Sequence, residues 1–324
     1  MTTGADVFGL GTFSGDDGAP FPGLVIDDAV LDLRPALGSE VTTLGMLADW
    51  SRSLDRLRAL RRSEPAGLRP LDELRQHAPV ASAQVFCAGA NYTKHVRQIM
   101  FSAAKSNPDE RRSDDLLRAA AEESVRERAE SGTPYVFCAP SAAMCGAQDD
   151  IVLWGPGVQH DWELELAVVI GRHASNVPAG DAMEYVAGYT ISNDVSTRDL
   201  LVRPGFPMTD LLLSKCRPSF FPTGPYLVPT EFVPDYRELR ITLRVNGEAM
   251  QDETVDDIIY GVEELVAYAS SVLDLRPGDL LLTGSPAGNA GHHDNRWLRP
   301  GDVMEGTITG LGRQRNTCVA DPRG

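Results

Sequence analysis

The sequence has few cysteines, very few lysines and no long apolar run. Its five cysteines are scattered without a CxxC pair, which argues against a disulfide framework or a zinc site and favours reduced thiols. No run of about 18 apolar residues occurs, so no transmembrane helix is predicted. Residues 1–6 lack the basic and apolar regions of a signal peptide, and we therefore expect a cytoplasmic protein.

Positive charge is also scarce. The net charge of −16 at pH 7 argues against nucleic acid or an anionic membrane as a partner and favours solubility. The basic residues are almost all arginines, and lysine occurs only as Lys94, Lys105 and Lys215. Lys215 stands out because burial can tune a lysine, whereas arginine keeps its proton. Neither a GxGxxG phosphate loop nor a GxSxG nucleophile motif is present.

The 324 residues are enough for one large or two smaller domains. Residues 1–80 have the alternation of a small β-rich unit, followed by a helical pattern over 44–62. From residue 135 onward, short strands and Gly/Pro turns dominate, with one amphipathic helix predicted over 255–273. Long strands with few helices predict an α+β or mainly β fold, with a rolled or sandwiched mixed sheet and no βαβ repeats.

The strand pattern of residues 161–171 is the first candidate for chemistry. At period two, Glu163 and Glu165 share one face, and this face continues with apolar residues. Two neighbouring carboxylates in a partly buried place repel each other and are costly to desolvate. The pair therefore either binds a divalent cation or lies at a solvated strand end.

A helical segment supplies the second candidate. His95 and Gln98 are three residues apart and share a helix face, where a histidine serves either structure or catalysis. Residues 99–133 are mostly helix formers and charges, with Ser113 as the predicted N-cap of a helix over 114–130. We interpret this segment either as a helical lid over a site or as a solvated surface hairpin.

Taken in order, several motifs form a recognisable series. They are Gly89-x-Asn91-Tyr92-x-x-His95, Glu163-x-Glu165, Asn193-Asp194 through Arg198-Asp199, Lys215, and Thr283-Gly284-Ser285-Pro286-Ala287-Gly288. This series closely resembles the fumarylacetoacetate hydrolase family over residues 85–324. Residues 1–80 resemble the small N-terminal domain of some members. The resemblance implies an N-terminal domain at 1–80 and a catalytic domain at 81–324, with residues 99–133 as a lid-like segment.

The resemblance also implies a metal centre. Family members have a mixed β-sandwich roll and usually form homodimers. They bind Mg²⁺, Mn²⁺ or in some cases Ca²⁺ through positions that correspond here to Glu163, Glu165 and Asp194. The chemistry is consistent, since oxygen ligands suit hard cations and no nearby histidine or cysteine favours zinc.

Substrates of the family are acylpyruvates, β-diketo acids and other 2-oxo acids, in which two oxygens can chelate the metal. By resemblance, His95 and Lys215 are catalytic, and Lys215 binds an oxyanion or protonates the leaving carbanion. Arg198 lies near the substrate carboxylate or, alternatively, forms an ion pair with Asp199. Ser285 and Tyr92 are expected to contact the substrate.

Two departures affect the expected reaction. Gln98 replaces a family glutamate that activates water together with the histidine, and an amide cannot hold a proton. The segment from Phe137 to Pro140 lacks a family lysine. One hypothesis is that Glu122 or Glu123 of the lid-like segment supplies the missing base.

These features predict a metal-dependent hydrolase that cleaves a C–C bond in an acylpyruvate or β-diketo acid. The alternatives are a decarboxylase or an isomerase (tautomerase) of a related 2-oxo acid, and a relative that binds its ligand without turnover. Asp161 is interpreted as an outer-shell or solvated carboxylate. His292, His293 and Asp294 could reach the site, but we favour an exposed polar loop as their interpretation.

Overall fold

The computed structural model describes residues 7–16, 18–80, 84–105, 107–206 and 208–323. Residues 1–6, on which the signal-peptide expectation rests, lie outside these ranges. Among the described helices, none combines the length and apolar character that crossing a bilayer requires.

The N-terminal part forms an antiparallel sheet in the order β4-β3-β2-β1-β5. Its strands are β1 (Gly9–Ser14), β2 (Phe21–Ile26), β3 (Ala29–Asp32), β4 (Arg69–Pro70) and β5 (Arg75–Gln76). Three helices connect β3 to β4, namely α1 (Arg34–Leu37), α2 (Thr43–Leu47) and α3 (Trp50–Arg62). The single helix predicted over 44–62 is thus two helices, because the backbone of Asp49, at φ −132° and ψ 65°, leaves the helical region.

The remaining strands follow in chain order. They are β6 (Val85–Ala88), β7 (Val136–Ala139), β8 (Met144–Gly146), β9 (Ile151–Leu153), β10 (His160–Asp161), β11 (Leu164–Ile170), β12 (Val186–Asn193), β13 (Ser196–Thr197), β14 (Phe221–Thr223), β15 (Val228–Pro229), β16 (Arg240–Val245), β17 (Glu248–Thr254), β18 (Leu280–Leu282), β19 (Val303–Ile308) and β20 (Arg313–Ala320).

Apart from β10 and β13, these strands form two sheets that share one apolar core. The larger sheet is mixed, with the order β7-β6-β18-β11-β12-β14-β8 and with β15 paired to β12. The smaller has the order β17-β16-β19-β20-β9, and β10 pairs separately with β13. The two sheets pack face to face at Leu164 and Gly306, where a Cβ on the glycine would lie 2.7 Å from the leucine side chain. The predicted α+β fold with a mixed β-sandwich roll is confirmed.

Strand direction brings several chain segments to one edge of the larger sheet. β6 runs parallel to β18, whereas β18 and β12 both run antiparallel to β11. The carboxyl ends of β6, β18 and β12 therefore meet the amino end of β11 at this edge. β7 is antiparallel to β6, so its amino end lies there too.

The helices of this part are α4 (Thr93–Lys105), α5 (Asp114–Ser131), α6 (Leu211–Lys215) and α7 (Val262–Val272). Short 3₁₀ turns occur at Leu71–Glu73, Ser141–Ala143, Ala179–Tyr185, Arg198–Leu200, Thr230–Phe232, Tyr236–Glu238, Val255–Asp257 and Ala290–His292. Ser113 caps α5 as predicted, since its hydroxyl accepts a hydrogen bond from the Leu116 amide. The helix predicted over 255–273 begins only at Val262. The preceding residues pair with Asn91 instead, and the amide of Tyr260 donates to the Asn91 side chain at 3.0 Å.

Two apolar clusters belong to the N-terminal sheet and its helices, and a third fills the space between the other two sheets. The domain boundary near residue 80, with a lid-like segment at 99–133, stays a prediction.

Candidate active site

Three carboxylates meet where β11 begins and β12 ends. Glu163 directly precedes β11, Glu165 is its second residue, and Asp194 directly follows β12. The register pairs Leu164 with Asn193, and the Asp194 amide donates to the Glu163 carbonyl at 2.9 Å. One ligand oxygen from each carboxylate lies within 4.8 Å of the other two, and all three residues are buried. The acidic pair is therefore part of a buried cluster, and a solvated strand end is ruled out.

Two cationic side chains contact this triad. The Nζ of Lys215, at the end of α6, donates to Glu163 Oε2 at 2.5 Å and to Asp194 Oδ2 at 2.7 Å. Arg198 donates from Nη2 to Glu163 Oε1 at 2.7 Å and from Nε to Asp161 Oδ2 at 2.8 Å. The pairing of β10 with β13 brings Arg198 next to Asp161. Both cations therefore lie at the carboxylate end of the site.

Burial and charge shift the three carboxyl groups differently. Burial raises the pKa of Glu163, but the charges of Arg198 and Lys215 outweigh it and hold that pKa well below its usual value. Burial, followed by the charges of Asp194 and Glu163, raises the pKa of Glu165 well above its usual value. Burial also raises the pKa of Asp194 to about 6, against the lowering effect of Lys215. The environment therefore favours the protonated form of Glu165 and the ionised form of Glu163.

The donor set fits a divalent cation. The triad and Asp161 contribute four carboxylates, but Arg198 and Lys215 balance only two of their charges. Asp194 Oδ1 is buried with no hydrogen-bond partner among the described residues, so it is available as a ligand. All donors are oxygens, which suits a hard cation such as Mg²⁺ or Mn²⁺. The triad can thus hold a divalent metal ion, and binding it would favour the ionised form of all three carboxylates.

His95 lies in the first turn of α4 with its imidazole beside the triad. Its Nε2 is 3.9 Å from Glu163 Oε1, and its Nδ1 is buried without a hydrogen-bond partner in the described ranges. Burial lowers the pKa of His95 to about 4 and outweighs the raising effect of Glu163. The imidazole is therefore neutral near pH 7. The buried Oε1 of Gln98 likewise has no described partner, and its amide adds neither an acid nor a base.

A cavity of about 370 Å³ opens at this edge of the sheet. His95, Arg198, Lys215, Ser285 and the triad contribute its charged and polar groups, and apolar side chains together with Thr209 line the rest. Ser285 accepts a hydrogen bond from the Gln251 side chain at 3.0 Å, which fixes its hydroxyl at the wall. The structure thus brings together every residue predicted for the site except Tyr92.

Tyr92 lies in the core and does not line the cavity. Its side chain is fully buried, and its hydroxyl lies 3.3 Å from Thr283 Oγ1. The cavity lining does not include Tyr92, and the predicted contact of Tyr92 with the substrate stays a prediction. The sequence does not show whether a tyrosine in such a motif faces the cavity or the core.

The turn after β18 requires glycine at position 284. Gly284 has a φ of 97°, and a Cβ there would lie 2.9 Å from the Asn91 side chain and 3.0 Å from the Ala88 carbonyl. The Gly284 amide donates to Glu165 Oε2 at 2.7 Å. This close approach lets the backbone orient one carboxylate of the triad.

The lid-like segment supplies no base to the cavity. Glu122 forms an exposed ion pair with Arg97 at 2.6 Å, and Glu123 forms one with Arg126 at 2.5 Å. Neither glutamate lines the cavity in this structure, so the hypothesis that one of them replaces the family glutamate gains no support here and stays a prediction. Helix α4 instead contributes His95 and Ile99 to the cavity wall.

The contacts of Asp161 and Arg198 decide between the alternatives that the sequence left open, and His292 departs from the predicted exposed loop. Asp161 is buried and accepts hydrogen bonds from Arg198 and from the Ala290 amide, so it is an outer-shell and not a solvated carboxylate. The alternative ion pair of Arg198 with Asp199 is not formed, since Asp199 accepts from the amides of residues 158 and 159. His292 is half-buried, with its ring centroid 6.2 Å from that of His95.

His293 also departs from the predicted exposed loop, because its Nε2 lies 2.9 Å from the Met250 carbonyl. Asp294 is exposed as expected. No sequence pattern distinguishes His292, His293 and Asp294 from one another. A polar loop residue becomes buried only when a distant segment of the chain packs against it.

Comparison with known proteins agrees with this geometry. A sequence profile described as fumarylacetoacetate (FAA) hydrolase C-terminal matches residues 84–319. The chain is 33% identical over 299 residues to the mitochondrial oxaloacetate tautomerase Fahd2a of Rattus norvegicus, covering 91% of this chain and 85% of the relative. It is 34% identical over 252 residues to the mitochondrial oxaloacetate tautomerase FAHD2B of Homo sapiens, covering 77% and 71% of the two chains.

Solved structures share the fold. The 2-hydroxyhepta-2,4-diene-1,7-dioate isomerase from Mycobacterium marinum superposes with a TM-score of 0.68 at 25% identity, covering 97% of this chain and 99% of that one. The maleylpyruvate hydrolase from Sphingobium sp. SYK-6, solved with manganese(II) ion and pyruvate, gives a TM-score of 0.72 at 23% identity, covering 96% and 99%. With the profile match over most of its length, this chain belongs to the fumarylacetoacetate hydrolase family.

Proposed function

We propose that this protein is a divalent-metal-dependent keto–enol tautomerase of 2-oxo acids. The observation that carries the proposal is the environment of His95. Its neutral imidazole lies beside the triad, but the residue one turn along the helix is Gln98, which cannot hold a proton. A hydrolase needs a base that takes a proton from water, whereas tautomerisation moves a proton within a bound substrate and consumes no water.

Glu163, Glu165 and Asp194 would hold the cation. When bound, the metal would supply Lewis-acid stabilisation of the enolate form of the substrate. The oxygen-only triad supports Mg²⁺ or Mn²⁺ in this position, because Arg198 and Lys215 do not balance all the negative charge of the triad and Asp161.

The chain's own side chains would perform the remaining steps. Arg198 and Lys215 remain protonated, since the neighbouring carboxylates outweigh the effect of burial and raise the pKa of each. They would orient the carboxylate of the 2-oxo acid. His95 would accept the proton that leaves C3 and deliver it to the C2 oxygen, so that one C–H bond breaks and one O–H bond forms. The surrounding apolar walls would exclude water from the transfer.

Named relatives support the same chemistry. Several are named as oxaloacetate tautomerases, with up to 35% identity to this chain. These names concern those proteins, and we extend to this chain only the reaction class.

Hydrolytic cleavage of an acylpyruvate, as predicted from the sequence, is the second candidate. It is favoured by the 3.9 Å separation of His95 Nε2 and Glu163 Oε1, because an imidazole next to a carboxylate can polarise a water molecule. Decarboxylation and ligand binding without turnover are the remaining alternatives, and they differ from both in their products.

A direct test compares reactions with and without metal. Metal-loaded protein should accelerate the conversion of enol-oxaloacetate to its keto form, followed by ultraviolet absorbance, and a chelator should abolish the effect. His95→Gln should reduce the rate by about 100-fold or more, as expected for a general acid–base residue. Mass spectrometry of the same mixtures distinguishes the alternatives, since hydrolysis adds water and decarboxylation releases CO₂.

The variant Gln98→Glu separates the two leading candidates. It restores a carboxylate one helical turn from His95. Tautomerisation does not need this carboxylate, so its rate should stay within about 3-fold of wild type. If the protein is a hydrolase weakened by the glutamine, the same variant will instead accelerate acylpyruvate cleavage. Cleavage that outpaces tautomerisation in the wild-type protein would contradict the proposal.

A further inference from the structure

The cavity changes character sharply along its length. All the charged groups that line it, together with His95, belong to the end that holds the triad. The rest of the described lining carries no charge, and we call it the apolar wall. It consists mainly of Ile99 of α4, Tyr135 and Phe137 at the start of β7, and Leu201 and Leu211 near α6, with Thr209 as a polar member. A substrate bound by its 2-oxo acid group at the first end must place its tail against this apolar wall.

From this arrangement we infer that the preferred substrate is a 2-oxo acid with an apolar, aromatic tail and no second carboxylate. The inference rests on the proposed function for the orientation of the substrate. A second carboxylate at the apolar wall would lose its hydration without gaining a counter-charge, which is unfavourable. An aromatic tail would gain apolar contact instead.

The two lining cations are already engaged. Lys215 contacts Glu163 and Asp194, and Arg198 contacts Asp161 and Glu163. Any further hydrogen bonds that these two side chains donate would go to the 2-oxo acid group of the substrate, which binds at the same end of the cavity. Neither is therefore placed to receive a second carboxylate at the far wall.

A third cation lies behind the wall and does not reach the cavity. The Nη2 of Arg128 donates to the Gly89 carbonyl at 3.2 Å, and its guanidinium lies 5.6 Å from the centroid of the Tyr260 ring. Gly89 lines the cavity, whereas Arg128 does not. The backbone thus separates this charge from the bound substrate.

The aromatic side chains of the wall are placed to contact a planar tail. The Phe137 ring centroid is 5.8 Å from Lys215 Nζ, so the aromatic wall begins next to the charged end. The Tyr135 and Phe137 rings lie 6.5 Å apart at 37°. Ile99 and Tyr135 are 44% and 50% exposed, which leaves apolar surface at the cavity mouth for a ligand to cover.

Phenylpyruvate and oxaloacetate are suitable probes, with pyruvate as the tail-free reference. Binding to the metal-loaded protein, measured by calorimetry, should favour phenylpyruvate over oxaloacetate by about 10-fold or more. Tautomerisation rates of the two acids should show the same preference. Oxaloacetate binding as tightly as phenylpyruvate, or more tightly, would overturn the inference.

Two substitutions locate the preference. Phe137→Ala should weaken phenylpyruvate binding by about 10-fold and pyruvate binding by clearly less. Ile99→Lys adds a cation to the apolar wall and should shift the affinity ratio toward oxaloacetate by about 10-fold. Leu116→Lys is the matched control, because Leu116 is 58% exposed on α5 and does not line the cavity. An unchanged ratio in Ile99→Lys, or an equal shift in the control, would overturn the inference.

The outcomes also separate the inference from the proposed function. Tighter binding of phenylpyruvate without tautomerisation of either acid supports the inference while it contradicts the tautomerase proposal. Tautomerisation of oxaloacetate with tighter oxaloacetate binding overturns the inference and leaves the tautomerase proposal intact.

Discussion

Asp161 shows how one carboxylate outside the metal-binding triad positions another residue of the site. Its Oδ2 accepts from Arg198 Nε at 2.8 Å, while its Oδ1 accepts from the Ala290 amide at 2.8 Å. The side chain therefore connects the guanidinium to the loop that carries His292. Such outer-shell contacts orient the groups that reach the substrate.

His95 provides a pH-dependent prediction at the same scale. Its pKa is about 4 in the folded protein and about 6.5 in an unfolded chain. The unfolded state therefore binds a proton first as the pH falls, so the stabilisation present above about pH 6.5 is lost between about pH 6.5 and pH 4. The total loss is on the order of 3 kcal/mol.

Urea unfolding of metal-free protein at about pH 7.5 and pH 5 would measure this effect. His95→Gln removes the titrating group while the carboxylates remain, so wild type should lose about 2 kcal/mol more than the variant over this range. Equal losses in the two proteins would show that His95 keeps an ordinary pKa.

The site residues differ in how far sequence could identify them. Glu163 and Glu165 stood out as a period-two acidic pair, whereas Asp194 and the metal-binding role were predicted from the resemblance to the family. The burial of Tyr92 was not predictable, because a buried and a cavity-facing tyrosine have the same local sequence. The half-burial of His292 was not predictable, because its ring lies beside that of His95 in α4, about 200 residues away in the chain.

At the scale of elements, the side chain of Asn91 connects three segments. Its Nδ2 donates to the carbonyls of Tyr260 at 3.0 Å and Thr283 at 2.9 Å, and its Oδ1 accepts from the Tyr260 amide at 3.0 Å. These contacts hold the start of α4 against the end of β18 and the segment before α7. They also explain why the helix predicted over 255–273 starts late, since residues 258–260 pair with this corner.

Asn91→Ala should therefore destabilise the protein by about 3 kcal/mol, because it leaves buried backbone groups without partners. Asn107→Ala is the matched control, since Asn107 is exposed and bonds only locally to the Asp109 amide, and about 0.5 kcal/mol is expected there. Chemical denaturation measures both variants. A similar small loss for the two would mean that the corner does not depend on the Asn91 side chain.

Some strands were predictable and others were not. β16, β18 and β19 can be detected from the sequence, because apolar residues alternate or run continuously there. β20 was missed, since its inward positions include Gln314 and Asn316. Gln314 donates to three backbone carbonyls and Asn316 to two, so these polar residues replace the expected apolar face. A pattern based on hydrophobicity cannot detect a strand buried in this way.

At the scale of the whole molecule, strand direction builds the site. The ends of β6, β11, β12 and β18 converge at one sheet edge and deliver side chains that lie far apart in sequence. The fold class could be predicted because long strands outnumber helices and no βαβ repeat occurs. The order of strands could not, since pairings such as β6 with β18 join residues about 195 positions apart. The homodimer and the cytoplasmic location stay predictions.

The central claim is that the buried carboxylate triad holds a divalent cation. Calorimetric titration of metal-free protein with Mn²⁺ should reveal about one site per chain. Asp194→Asn should weaken binding by about 100-fold or more, because it removes a ligand and one of the unbalanced charges. Asp115→Asn, the same change at a 96% exposed side chain, should leave the affinity unchanged. Absent binding in wild type, or equal affinity in wild type and Asp194→Asn, would contradict the claim.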